Sequence, residues 1–94
     1  MATVRIPTPL RKLTEGQSEV QGEGASIREL FDNLEGSHAG LKEKIFDEAG
    51  EIRRFIILSV NGEDVRYLKG ADTVVGSDDE VSILPAIAGG VVSR

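Results

Sequence analysis

The stretch Ser26-Ile27-Arg28-Glu29-Leu30-Phe31-Asp32-Asn33-Leu34-Glu35-Gly36 decides the fold. Ser26 and Glu29 make the S-x-x-E pattern of a capping box, which satisfies backbone amide donors that the first helical turn leaves without partners. Ile27, Leu30, Phe31 and Leu34 recur at i, i+3, i+4 and i+7 and line up as one apolar stripe. Arg28, Glu29, Asp32, Asn33 and Glu35 take the opposite side, and Gly36 is a fitting C-terminal stop. A helix with one apolar face needs a second layer to bury it.

The flanking sequence supplies strands. Upstream, Val4 and Ile6 alternate with Thr3 and Arg5, the period of a half-buried strand, and Pro7 and Pro9 end it. Lys12–Ser18 reads as a turn, and Glu19–Glu23 as a short strand forming a hairpin with the first. Downstream, Leu41 and Ile45 suggest a shorter helix over His38–Phe46, and Glu48–Glu51 reads as a loop. Arg54–Val60 is the strongest strand. Asn61-Gly62, which tolerates positive φ, then predicts a hairpin into a weaker return strand carrying Val65 and Tyr67. Lys69-Gly70 breaks that strand, Thr73–Val75 is a short apolar patch, and Gly76–Glu80 is an acidic turn. Val81–Ile87 is the last strand. The order β-β-α-(α)-β-β-β predicts an α+β fold, with one main helix across one face of a four- to five-stranded mixed sheet.

Composition excludes several chemistries. At 94 residues one domain is expected, and 39% hydrophobic residues suffice for a small core. Without cysteine there is no disulfide framework, thiolate metal site or thiol nucleophile. Eleven Lys and Arg against 16 Asp and Glu give a net charge of −5, which argues against nucleic acid as the main partner. No run reaches the roughly 20 apolar residues of a membrane span, and no signal-peptide core follows Arg5, so a soluble cytoplasmic protein is expected. The lone His38 has no motif around it and cannot make a zinc site. Asp78-Asp79-Glu80 lacks the ligand spacing of a calcium loop and reads as a solvated turn. Gly22 and Gly24 lack the setting of a phosphate loop and read as a flexible lead into the helix. No catalytic constellation is present, so an enzyme is not expected.

The end of the chain stands out. The last strand runs into Pro85-Ala86-Ile87-Ala88-Gly89-Gly90, then Val91–Arg94. Two residues without a Cβ can pass a narrow channel. Six extended residues from Pro85 reach roughly 20 Å, far enough to enter another enzyme's active site. The domain is accordingly drawn over residues 1–87, with 88–94 as a flexible tail.

These features resemble the ubiquitin-like (β-grasp) sulfur carriers, the group of the small subunit of molybdopterin synthase and the thiamin sulfur carrier. Within it the resemblance is to the mycobacterial-type carriers of cysteine biosynthesis. It rests on Ile6-Pro7-Thr8, Leu10-Arg11, Gly16-Gln17, Leu34-Glu35, Arg54-Phe55-Ile56, Val60-Asn61, Glu63–Arg66 and, most specifically, Ile83–Gly90. The resemblance implies that an E1-like adenylyltransferase uses ATP to activate the Gly90 carboxylate, after which sulfur replaces AMP to leave a thiocarboxylate. It further implies transfer of that sulfur by way of a PLP-dependent cysteine synthase, and release by a zinc-dependent JAMM-type protease. The carrier itself would bind no cofactor or metal, and its tail residues Ala88, Gly89 and Gly90 would be the working end. One departure stands: Val91–Arg94 follow Gly90, whose carbonyl is then a peptide amide and cannot be adenylated. Either the chain is a precursor cut between Gly90 and Val91, or the extension is inert and this copy inactive. A small subunit of a molybdopterin-synthase-like complex and a protein modifier joined to lysines remain as alternatives.

A docking surface is also expected. Ile56, Leu58 and Val60 should face the helix, joined by Val81 and Ile83. Phe55 and Ile57 should then share the outward face with Leu84, next to Pro85, as a partner-binding patch or as a surface covered by a loop. Arg5, Arg11, Arg53, Arg54 and Arg66 could meet acidic partner residues or form a solvated charged face.

Overall fold

Ser26 starts the main helix as its sequence requires. In the structure, a computed structural model that describes residues 1–85, α1 spans Ile27–Glu35 with Ser26 in extended backbone geometry. Ser26 Oγ accepts from the Glu29 amide at 3.2 Å. Glu29 Oε1 reaches back one residue beyond the usual box and accepts from the Ala25 amide at 2.7 Å. The Ile27 amide, another of the helix's orphan donors, gives its hydrogen to Thr73 O at 3.0 Å. A loop far along the chain therefore completes the cap.

The stripe packs on a five-stranded sheet built from β1 (Ala2–Arg5), β2 (Glu19–Gly22), β3 (Ile56–Val60), β4 (Glu63–Asp64) and β5 (Glu80–Pro85). Their spatial order is β2-β1-β5-β3-β4. β1 and β5 run parallel at the centre, and the other neighbours pair antiparallel. This is the α+β, β-grasp arrangement. Ile27, Leu30, Phe31 and Leu34 bury against Val4, Val20, Leu58, Val60, Val81 and Ile83 in one continuous core. Each such side chain contributes about 1.5–3 kcal/mol of transfer free energy. Phe31 also meets Phe46 edge-on, with ring centroids 5.9 Å apart.

Several elements differ from expectation. The second helix, α2, is Leu41–Ile45 rather than His38–Phe46. Gly40, at φ +94°, holds a backbone shape that no helix contains. The Glu35 carboxylate accepts from the Gly40 and Lys42 amides at 2.9 and 3.0 Å, so the last residue of α1 caps α2. Second, the return strand is only Glu63–Asp64. Asp64 Oδ1 accepts from the Arg66 amide at 2.9 Å and turns Val65–Tyr67 into a short 3₁₀ segment. Val65 is buried there, whereas Tyr67 is exposed. Third, a 3₁₀ segment over Thr8–Thr14 covers part of the expected Lys12–Ser18 turn. Asn61 and Gly62 both take positive φ, as their hairpin requires. The main strand begins two residues later than expected, at Ile56. Ile87, the boundary after it and Ala88–Arg94 lie outside the described residues.

Gly24 is not a flexible lead into α1. A Cβ placed on it would lie 2.4 Å from the Leu30 amide nitrogen, so the backbone itself occupies the space. Gly24→Ala is expected to destabilise the fold by about 2–3 kcal/mol, read by urea denaturation. An unchanged midpoint would contradict this packing.

The acidic turn is held by one carboxylate. Asp79 Oδ2 accepts from the Gly76 amide at 2.7 Å, and Oδ1 from Asn61 Nδ2 at 2.9 Å. These donors, the Gly76 amide foremost, hold Asp79 below its ordinary value of 3.8. A depressed carboxylate stabilises the fold above its unfolded pKa and loses that effect as pH falls through the folded value. The stability advantage of the parent chain over Asp79→Asn should therefore be full at neutral pH and shrink below about pH 4. Denaturation across that range checks it, and a pH-independent difference would contradict it.

Candidate functional site

Strand parity fixes what the sheet shows to solvent. In the β3–β5 pairing Leu58 faces Ile83 and Val60 faces Val81, and all four are buried. The alternate pairs, Ile57 with Leu84 and Ser59 with Ser82, therefore belong to the outer face. Leu84 leaves 52% of its surface exposed, and Ile57 is half-buried. A large aliphatic side chain thus lies uncovered beside Pro85, the last described residue, which pairs with Ile56.

Phe55 takes a different place from the one expected. It is not in the strand with Ile57: the Ile56 amide donates to Arg53 O at 3.0 Å and closes a turn that contains Phe55. With 55% of its surface exposed, it helps line a groove of about 490 Å³ at the end of the sheet. Pro9, Leu10, Ile56 and Pro85 complete the apolar lining, and Lys44, Asp47, Arg53 and Arg54 form the rim. The structure thus makes two surfaces of the expected patch. Ile57 and Leu84 are cross-strand neighbours on the sheet, whereas Phe55 and Pro85 line the groove.

The arginines divide in the same way. Arg5 bridges Glu19 and Glu80 at 3.0 and 3.1 Å. Arg66 closes on Asp64 at 2.7 Å and holds its carboxyl below the usual range. Arg11 Nε donates to Ile6 O at 3.0 Å. Arg53 donates through Nε to the Glu43 carbonyl at 2.8 Å, yet neither it nor Arg54 forms an ion pair among the described residues.

Sequence reasoning did not find Pro9, Leu10 and Lys44. The groove joins four distant segments, and no local periodicity marks it. The Arg53-Arg54 pair, one residue after the acidic Asp47–Glu51 loop, was the available signal. His38 sits half-buried in the connection between the helices, where its carbonyl accepts from the Leu41 amide. No group of three or more metal-ligating side chains occurs among the described residues. No helix among them is long and apolar enough to cross a membrane. Ala88, Gly89, Gly90 and Val91 lie outside the described residues. What the described surface offers chemically is docking: an exposed aliphatic on the sheet and an apolar groove with a cationic rim, both next to Pro85.

Comparison with known proteins agrees with this geometry. The chain is 41% identical over 90 residues to the sulfur carrier protein CysO of Mycobacterium tuberculosis, covering 94% of this chain and 97% of that one. It is 39% identical over 87 residues to a putative sulfur carrier protein of Archaeoglobus fulgidus, covering 93% and 96%. Among solved structures, the BexX/CysO complex of Amycolatopsis orientalis contains a chain that matches with a TM-score of 0.90 at 43% identity, covering 96% of this chain and all of that one. The pattern of the ThiS family matches residues 4–90. The chain belongs to the ThiS family.

Proposed function

We propose that the chain is the precursor of a sulfur carrier in cysteine biosynthesis, cut after Gly90 and loaded with sulfur at the new terminus. The observation that carries this is where the family match stops: it runs through Gly90 and leaves Val91–Arg94 outside. The M. tuberculosis and A. fulgidus relatives, named as sulfur carriers, support it over nearly the whole chain. The protein is a carrier and not an enzyme, and its part is to present an acyl terminus.

The chemistry needs a free carboxylate. Hydrolysis of the Gly90–Val91 peptide bond by a JAMM-type zinc protease would supply one. An E1-like enzyme then joins that carboxylate to the adenylyl group of ATP and releases pyrophosphate. Attack by hydrosulfide expels AMP and leaves a thiocarboxylate on Gly90. Its sulfur would add to an electrophilic acceptor held by a PLP-dependent cysteine synthase, joining the product to the carrier. Hydrolysis by the JAMM-type protease would then free the product and restore the Gly90 carboxylate. ATP, zinc and PLP all belong to the partners. Such a carrier works in the cytoplasm, where the activating enzyme finds ATP. Leu84 and Ile57 on the sheet, with Phe55 and Pro85 at the groove, are the surface against which the activating enzyme would hold the tail.

ATP–pyrophosphate exchange with an E1-like enzyme tests the precursor step. A chain ending at Gly90 should support exchange, and the chain retaining Val91–Arg94 should not until the protease has cut it. Equal exchange by the uncut chain would contradict the proposal. Intact mass then separates the fates of the terminus: a sulfur-for-oxygen difference marks a carrier, and lysine-linked adducts mark a modifier.

Docking is tested separately. Leu84→Ala and Phe55→Ala should each weaken binding to the activating enzyme roughly tenfold while leaving the denaturation midpoint unchanged. Parent-like affinity in both variants would remove these residues from the interface.

A further inference from the structure

We propose that the groove at the end of the sheet receives a short acidic segment of a partner protein, anchored by one aromatic or long aliphatic side chain. The proposal deepens the carrier reading, on which it rests only for the view that the partner is a protein that takes the tail. Three observations carry it. The throat is apolar and, at about 490 Å³, roomy enough for a bulky anchor with its neighbouring residues, and Phe55 leaves over half its surface uncovered there. The rim reverses the sign of the whole molecule. In a chain of net charge −5, Lys44, Arg53 and Arg54 surround one opening. None of the three forms an ion pair among the described residues, unlike Arg5, Arg28, Lys42 and Arg66, which are paired within the fold. The one rim carboxylate is engaged by its own loop: Asp47 Oδ1 accepts from the Ala49 and Glu51 amides at 2.9 and 3.0 Å.

An apolar throat with a cationic rim selects an anchor flanked by carboxylates. Three cations around a single pocket do not trace a phosphate backbone. Pro85 forms part of the wall, so an occupant of the groove sits directly beside the last described residue, from which the sequence continues toward Gly90.

The test is an NMR titration of the isotope-labelled full chain with a synthetic peptide of alternating Asp and Glu around a central Phe. Amide shifts should be confined to Leu10, Lys44 and Arg53–Ile56. Binding should weaken as added salt shortens the Debye length from about 10 Å to about 3 Å. The Arg53→Glu/Arg54→Glu variant should lose affinity on the order of tenfold. Lys44→Glu, whose side chain is exposed, provides a second variant should the double one unfold. Four control ligands decide the rest: a Lys-rich peptide with the same Phe, the acidic peptide with Ala for Phe, a peptide of sequence Ala86–Arg94, and anionic phospholipid vesicles. Weak or absent binding of all four supports the proposal. Equal binding of either altered peptide, shifts produced only by the tail peptide or by vesicles, or no binding of the acidic peptide would overturn it. The titration does not involve Gly90 chemistry, so its failure is separable from failure of the exchange assay.

Discussion

Strand β5 is paired on both sides, parallel to β1 and antiparallel to β3, and the rest of the structure depends on that constraint. Val81 and Ile83 are locked beneath α1, where each contributes about 1.5–3 kcal/mol. A register slip of one residue would bring Ser82 and Leu84 into the core and expel two buried aliphatics. The same parity that protects the core places Leu84 outside and brings Pro85 to the wall of the groove. Pro85, the last described residue, is therefore held in the same register as the core pairs. A carrier that offers its terminus to several enzymes needs such a rigid base, because each partner must find the tail in the same place.

Helix α1 supports that base from the other side, and its cap ties remote segments together. Thr73 O takes the Ile27 amide, and the Val75 amide returns to Ala25 O at 3.1 Å. The last loop before β5 is thus stitched to the start of α1. At the opposite corner Asn61 joins the same system, its Oδ1 accepting from the Glu80 amide at 2.9 Å. The β3–β4 turn, the acidic turn and the first residue of β5 form one hydrogen-bonded unit.

Much of this was legible in the sequence because periodic burial writes a periodic pattern. The stripe Ile27, Leu30, Phe31, Leu34 and the alternation of Val81 and Ile83 are direct records of one-sided packing. The Asn61-Gly62 turn was equally plain, since few residues accept its backbone. Where a single side chain overrode the local pattern, sequence reading failed. Val65 and Tyr67 alternate like strand residues, but the Asp64 carboxylate captures the Arg66 amide and curls the segment. Glu35 looks like an ordinary polar position on α1, and nothing local shows that it caps α2 across Gly40. Phe55 was placed by extending the strand two residues too far. The groove was invisible for a different reason: its walls come from residues 9–10, 44–47, 53–56 and 85, which meet only once the sheet has formed.

The central claim is that Gly90 ends the working chain and carries sulfur. It is tested most directly by isolating the protein from its own cells under alkylating conditions and fragmenting its C-terminal peptide in the mass spectrometer. The account predicts a peptide that ends at Gly90 and bears an alkylated thiocarboxylate. A peptide that retains Val91–Arg94 throughout, or one whose Gly90 is joined to a lysine, would contradict it.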